Sequence, residues 1–456
     1  MPSNTAQSAG LRAFVVVWFG QMISLLGTSL TRYAVTLWAW ELTGQATALS
    51  LAAFFGFVPL MLMSPFAGAL VDRWNRKLVI MLSDFGAAGS ALLLLLLSAT
   101  GNLEIWHVYV ASFIAGIFEA FQFPAYSAAV TTMVDRSQYA RTSAMIGIAE
   151  TATGILAPIL ATALYATIKL PGILVIDVTT CIFAITTVFF ARIPQPPVTQ
   201  ESQQEGKGNL LREAAYGFRY IRQRPSLLGL QLVFFFGNLL YTLFAVLMGA
   251  MILARTGNDQ IVLRDVSSTM AVGGLVSGLI ISAWGGPKRR ILGVLIGWSV
   301  SGIIPIMVMG LGRTTPVWML AGFVGSFLIA IVNPCNQAIW QSKVPPHLQG
   351  RVFSARRFIA QVTSPLAMLV AGPLADYVFE PAMQSGGLLA TAFGPLVGTG
   401  PGAGIALMYL VVGVLVVMVG IVGYFVPAIR NVEDLVPDHV ATEPVATELA
   451  GGSASV

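Results

Sequence analysis

Residues 68–77 read Gly68-Ala69-Leu70-Val71-Asp72-Arg73-Trp74-Asn75-Arg76-Lys77, and long apolar runs precede and follow them. This is a short, strongly basic connection between two segments of membrane-crossing length. The same arrangement recurs along the chain. Twelve apolar stretches can be read, with a basic loop after every second one. Of the 25 Lys and Arg, all but five fall in one alternating set of loops and tails, or just inside the helix ends those loops feed. Lys169, Arg255, Arg264 and Arg313 lie on the other side, and Arg32 lies inside an apolar stretch. Cytoplasmic loops retain Lys and Arg, so the pattern predicts an inner (plasma) membrane protein with both termini in the cytoplasm.

The composition agrees. The chain is 56% hydrophobic and only 10% charged, and its mean hydropathy is +0.79. The net charge of +5 resides in the basic loops, so it signals no nucleic-acid partner. Cys181 and Cys335 both lie in apolar stretches and suggest no disulfide framework, while His107, His347 and His439 are scattered and suggest no metal site. No phosphate-binding loop or nucleophile motif is present, which argues against an enzyme, an ATP-driven pump or a bound cofactor. The first apolar stretch is too long for a cleavable signal peptide.

The spans are expected near 12–40, 46–70, 77–99, 105–133, 141–166, 170–192, 227–254, 261–284, 289–311, 315–342, 351–376 and 403–427. Residues 1–192 form a first six-helix half and 227–427 a second. Between them, residues 193–226 begin as a Pro- and Gln-rich linker. They continue as an amphipathic helix with Leu211, Ala215, Phe218 and Ile221 on one face, lying at the cytoplasmic surface. Residues 428–456 read as a disordered cytoplasmic tail. Residues 124–141 align without a gap to 334–351, matching Pro124 with Pro334 and Arg141 with Arg351. An internal parallel repeat of this kind predicts a transporter with its site between the halves.

The 68–77 loop resembles the signature of the major facilitator superfamily, Gly-x-Leu-x-Asp-Arg-x-Gly-Arg-Lys, with Asn75 in place of the second Gly. Asn tolerates a left-handed backbone, so the tight turn is expected to survive. The resemblance implies an all-α membrane protein of twelve transmembrane helices in two pseudo-symmetric six-helix bundles. It also implies a gate at the cytoplasmic end, built from Gly68, Asp72, Arg73, Arg76 and Lys77. Asp72 would latch onto the start of span eleven, which carries Arg351, Arg356 and Arg357. The plainer alternative is a loop that sets topology and nothing else. The opening QMISLLGTSLTRYAVTLWAWELTG, Pro124-Ala125 and Phe379-Glu380-Pro381-Ala382-Met383 resemble the macrolide-efflux and enterobactin-exporter branch. Two features of the drug–proton exporters are missing or partial. Ser112 stands where they carry Arg in span four, and Gly154-Ile155-Leu156-Ala157-Pro158 only partly matches their span-five motif.

Ionisable residues inside apolar spans are costly and are functional candidates by default. Glu119 in span four and Glu150 in span five are the candidates for carrying a proton or contacting substrate. Arg32 in span one and Asp177 in span six lie at a similar level. Arg32 is expected to pair with Asp177, or to fix helix packing by pairing with a Glu. Asp84 is expected to reach toward Arg141 or water. In the second half the candidate cavity residues are neutral: Asn238, Tyr241, Asn333, Gln337 and Gln361. They would suit an amphipathic small molecule, although amides also bond between membrane helices. The expected function is a secondary active transporter exporting such a molecule (siderophore, secondary metabolite or drug) by alternating access and proton antiport, as a monomer among membrane lipids. A lipid or lysolipid flippase remains open and predicts a lateral opening with apolar walls. A non-transporting receptor or scaffold remains open and predicts no central cavity.

Overall fold

The computed structural model describes residues 4–134, 138–194, 210–284 and 286–437. Its elements among those residues are helical. The first five are α1 (Asn4–Thr43), α2 (Ala46–Arg73), α3 (Arg76–Ala99), α4 (Ile105–Met133) and α5 (Tyr139–Phe190). After α6 (Leu210–Arg222) come α7 (Pro225–Thr256), α8 (Gln260–Trp284), α9 (Arg290–Leu311), α10 (Thr315–Lys343) and α11 (346–383). The chain ends with α12 (Ala390–Val397), α13 (Ala403–Phe425), α14 (Pro427–Arg430) and α15 (Val432–Leu435). Ten of the described helices are long and apolar enough to cross a bilayer. With no water to satisfy a bare backbone in hydrocarbon, a helix is the fold such runs must take.

The α5 run reverses direction. Lys169 adopts φ 55° and ψ −169°, a backbone rare for a residue with a Cβ. Trp18 of α1 donates its indole N–H to the Met145 carbonyl at 3.0 Å, and Gly20 of α1 packs directly on Thr187. Two stretches 42 positions apart in α5 therefore flank the same turn of α1, so α5 is a helical hairpin turned at Lys169.

Two helix groups result. Helices α1 to α5 pack on one another, as do α7 to α13. Glycines permit the closest crossings: a Cβ on Gly116 of α4 would meet the Gly56 carbonyl of α2. Prolines loosen others. Pro305 lacks the N–H for its own rung, and α9 widens into a π-turn over Gly302–Met307. A second π-turn, Ala375–Phe379, follows Pro373 in α11.

One expectation changes at the C-terminal edge, and the linker helix gains a contact. Residues 428–437 are ordered: Glu433 accepts from the backbone N–H of Arg290 (3.3 Å) and Ile291 (3.0 Å), which caps α9. Lys343 donates to the Glu433 carbonyl at 2.5 Å, and Arg289 pairs with Asp434 at 3.1 Å. Residues 438–456, where the rest of the tail was expected, lie outside the described residues, as do 195–209 of the linker. Helix α6 packs on α11 as well as presenting a polar face: Ile221 and Tyr220 are buried, and Phe218 meets Phe358 edge-on at 6.1 Å.

Candidate functional site: a cleft between the helix groups

The signature loop is built differently from expectation. Asn75 has φ −66° and ψ 112°, an extended backbone. Its carboxamide oxygen accepts from Lys77 N (3.0 Å) and Leu78 N (3.4 Å), so Asn75 is the N-cap of α3. Asn is among the best residues for that task. Arg76 donates to the Ala128 carbonyl of α4 at 2.7 Å, and Lys77 donates to the Phe189 and Ala191 carbonyls at 2.5 and 3.1 Å. These cations meet the carbonyl-rich C-terminal ends of neighbouring helices, where they are favoured. The side chains of Asp72, Arg73 and Arg351 lie outside the described residues, as does the burial of Gly68. The Arg356 guanidinium stacks over Trp340 and Phe353, and Arg357 is exposed.

At the opposite end, where α1 ends and α2 begins, hydrogen bonds join the groups. Trp40 donates to Asn258 at 2.5 Å and Gln260 to Glu41 at 2.8 Å. Asp376 of α11 accepts from Ala46 N (3.1 Å), Thr47 N (2.7 Å) and Thr47 Oγ1 (2.5 Å). The N-cap residue of α2, Gln45, makes no capping bond with its side chain. The cap comes from the other helix group. One turn earlier in α11, Gly372 lies against the Thr47 backbone and Ser50, where a Cβ has no room.

Away from this seal the groups separate. Ser268 of α8 reaches the Ile155 carbonyl of α5 at 3.4 Å, and a Cβ on Gly154 would lie 3.8 Å from Ala271. Farther from the sealed end, α5 and α8 leave a groove of about 480 Å³ lined by Glu150, Thr151, Gly274, Leu275, Gly278 and Leu279, with Gly154 and Ala271 at its head.

Arg32 and Glu119 meet. Arg32 Nη2 lies 3.2 Å from both Glu119 carboxylate oxygens, and the two side chains are 67% and 42% exposed. Positions 32, 36 and 40 recur on one face of α1. Thr36 faces Gly249 and Trp40 bonds Asn258, both on the second group's side, so the Arg32 face looks across the division between groups.

The other expected residues divide. Asp177 does not pair with Arg32: it is 3% exposed and accepts from Thr28 at 3.1 Å and from the Cys181 thiol at 3.6 Å. It lies on the α5 face packed against Gly27 and Thr28, turned from the cleft. Glu150 is exposed in its groove, apart from the Arg32–Glu119 pair. Asn333 is exposed, and Asn238, Tyr241, Gln337 and Gln361 are half-buried, with Tyr241 against Phe244 and Trp298. Asp84 does not reach Arg141 or water. It is buried and accepts from Gln21 at 2.7 Å and Gln122 at 3.1 Å. Sequence reasoning missed Asp376, which falls at the expected end of span eleven. It missed Gln21 and Gln122 too, although an amide in the middle of an apolar run is a signal that could have found them.

These features define a bundle of membrane-crossing helices in two groups, with an exposed ion pair on the face of α1 that looks toward the second group. The family pattern of the Major Facilitator Superfamily matches residues 17–368, and the chain belongs to that family. It is a multi-pass membrane protein and a transporter, not an enzyme. It is 26% identical over 367 residues to macrolide efflux protein A of Streptococcus pyogenes, covering 80% of this chain and 90% of that one. It is 23% identical over 427 residues to the multidrug efflux pump Tap of Mycolicibacterium fortuitum, covering 92% and 97%. Among solved structures, the nucleoside transporter NupG superimposes with TM-score 0.66 at 13% identity, covering 90% of this chain and 98% of that one.

Proposed function

We propose that this chain is a twelve-span secondary transporter that exports amphipathic small molecules from the cytoplasm by alternating access, driven by proton antiport. The ten long apolar helices become twelve crossings when the α5 hairpin is counted twice and α8 is added. Its halves are then 1–192 and 227–427. The basic loops assign the α2–α3 end to the cytoplasm and the α1–α2 seal to the outside. In that orientation this is the inward-open state, and the membrane is the inner (plasma) membrane.

The observation that carries the reading is the Arg32–Glu119 pair. A charged pair in the middle of apolar helices is tolerated beside water and costly beside lipid. Its exposure, on the face of α1 that looks toward the second group, fits a water-filled cleft sealed at one end. Around such a cleft, Asn238, Tyr241, Asn333, Gln337 and Gln361 supply sparse polar contacts in apolar walls, as an amphipathic ligand needs. The macrolide and multidrug relatives support an efflux direction and a bulky substrate. Vesicles reconstituted with the protein and loaded with radiolabelled erythromycin test this. Protein-dependent, pH-gradient-driven movement is expected, and its absence across several macrolides and cationic dyes would overturn the export reading.

The groove between α5 and α8 favours a second reading. Small and apolar residues line most of it, and it lies at the seam between groups, as a flippase needs for a lipid entering sideways. Translocation of a fluorescent lysophospholipid in the same vesicles, with erythromycin left unmoved, would establish that reading instead.

A further inference from the structure

Asp84 is 1% exposed on α3 and plays no part in the cleft described above. Gln21 of α1 and Gln122 of α4 donate to its two carboxylate oxygens, and Gln122 also donates to Gln21 Oε1 at 3.2 Å. The three side chains close a ring. The other titratable group facing Asp84 is the Cys181 thiol of α5, which accepts from Ser24 at 3.5 Å and in turn donates to Asp177. Among the described residues no cation contributes to the surroundings of Asp84.

A buried carboxylate without a cation is poorly compensated by two neutral amides. An ion-paired Asp would be locked in its charged form. Amides are different partners, because a carboxamide offers N–H to a carboxylate and, turned over, C=O to a carboxylic acid. The ring can therefore satisfy Asp84 with or without a proton. It also spans the two helices that carry the cleft's ion pair. Gln21 precedes Arg32 by three helical turns on one face of α1, and Gln122 follows Glu119 by one turn on α4.

We propose that Asp84, held by Gln21 and Gln122, is a proton-binding site separate from the Arg32–Glu119 pair, and that its proton sets how α1 and α4 are held together. One proton adds to the Asp84 carboxylate from water and returns to water on the other side of the membrane; no other bond forms or breaks. The coupling half of this proposal rests on the transporter reading above, whereas proton binding at Asp84 does not.

Two measurements separate them. Infrared spectra of the full-length protein in lipid nanodiscs, recorded against pH, report the carbonyl stretch of a protonated, water-excluded carboxyl. We expect a titrating band that Asp84→Asn removes and Glu119→Gln keeps. Gln122→Ala removes a donor to the charged form, so the band should persist to higher pH. If Asp84→Asn fails to fold, Asp84→Glu should keep a band but move its titration. In erythromycin-loaded vesicles, Asp84→Asn should lose pH-gradient drive while keeping downhill exchange. A band absent from wild type at every pH, or one that survives Asp84→Asn, overturns the site. Intact gradient-driven transport in Asp84→Asn overturns its coupling role. A wild type that shows the Asp84 band but no gradient-driven movement sinks the proton-antiport reading and leaves the site standing.

Discussion

In the proposed orientation the Asp376 cap on α2 should hold the external end shut, and its strength can be worked from its contacts. Asp376→Ala leaves Ala46 N and Thr47 N without their partner, and Gln45 supplies no replacement. Removing an N-cap costs about 0.5–2 kcal/mol. The bonds exist only while the groups touch, so the loss falls on the sealed state alone. At about 1.4 kcal/mol per factor of ten, the outward-open fraction should rise roughly tenfold. Asp376→Asn keeps a good capping residue but loses the charge favoured at a helix N-terminus, about 0.3–1 kcal/mol, and should fall between. Ser50 is 0% exposed at the seal, so a Ser50→Cys thiol reacts with a membrane-impermeant maleimide only when that end opens. The native Cys181 and Cys335 are buried. The labelling rate then reads the open fraction directly. A rate in Asp376→Ala equal to wild type, in protein that folds and inserts normally, would refute the latch.

Three further outcomes follow from the same geometry. If the signature loop latches as the family resemblance implies, Asp72→Asn should act with opposite sign, removing an anion that faces the start of α11 in the other state and favouring the inward-open state by about 0.3–1 kcal/mol, so Ser50→Cys labelling should fall about two- to fivefold; unchanged labelling would leave the loop a topology signal only. Glu119→Gln should leave yield and thermal stability near wild type, because a solvent-open pair is worth at most about 1 kcal/mol, yet erythromycin transport should drop sharply; full transport would remove the pair from the site. Glu433→Ala strips the cap from α9 and should cost about 1 kcal/mol, read as a lower unfolding temperature in detergent, with Glu433→Gln recovering part of it; no change would make that contact ornamental.

What the sequence made legible was whatever repeats or costs energy. Apolar length and loop charge announced the helices, the 68–77 motif announced the family, and the mid-span position of Arg32 and Glu119 announced that both need an explanation. Which partner each charge takes was not legible, because that depends on helix rotation. Arg32 and Asp177 share a level, but α1 turns Gly27 and Thr28 toward Asp177 and Arg32 toward Glu119. Asp84 misled for a related reason. Its depth suggested an escape to water, whereas two glutamines from other helices were already placed to receive it. Asn75 shows the limit of matching motifs by residue type, since the position that takes Gly elsewhere is filled here by a cap.

The Asp376 contact bears on how alternation is built. Helix α2 begins where α11 ends, so the two run antiparallel across the division between groups. Each carries an Asp near its C-terminal end, Asp376 on α11 and Asp72 on α2. Asp376 caps the first turn of α2 in the state described here. On the proposed reading of the signature loop, Asp72 faces the first turns of α11 in the other state. A helix N-terminus rewards an anion only within about its first turn, so neither cap survives a rocking motion that separates its ends. Losing one while gaining the other keeps the two states close in energy, which a transporter needs if neither is to be a trap. On the proposed function, the asymmetry then comes from what binds in the cleft and from the proton.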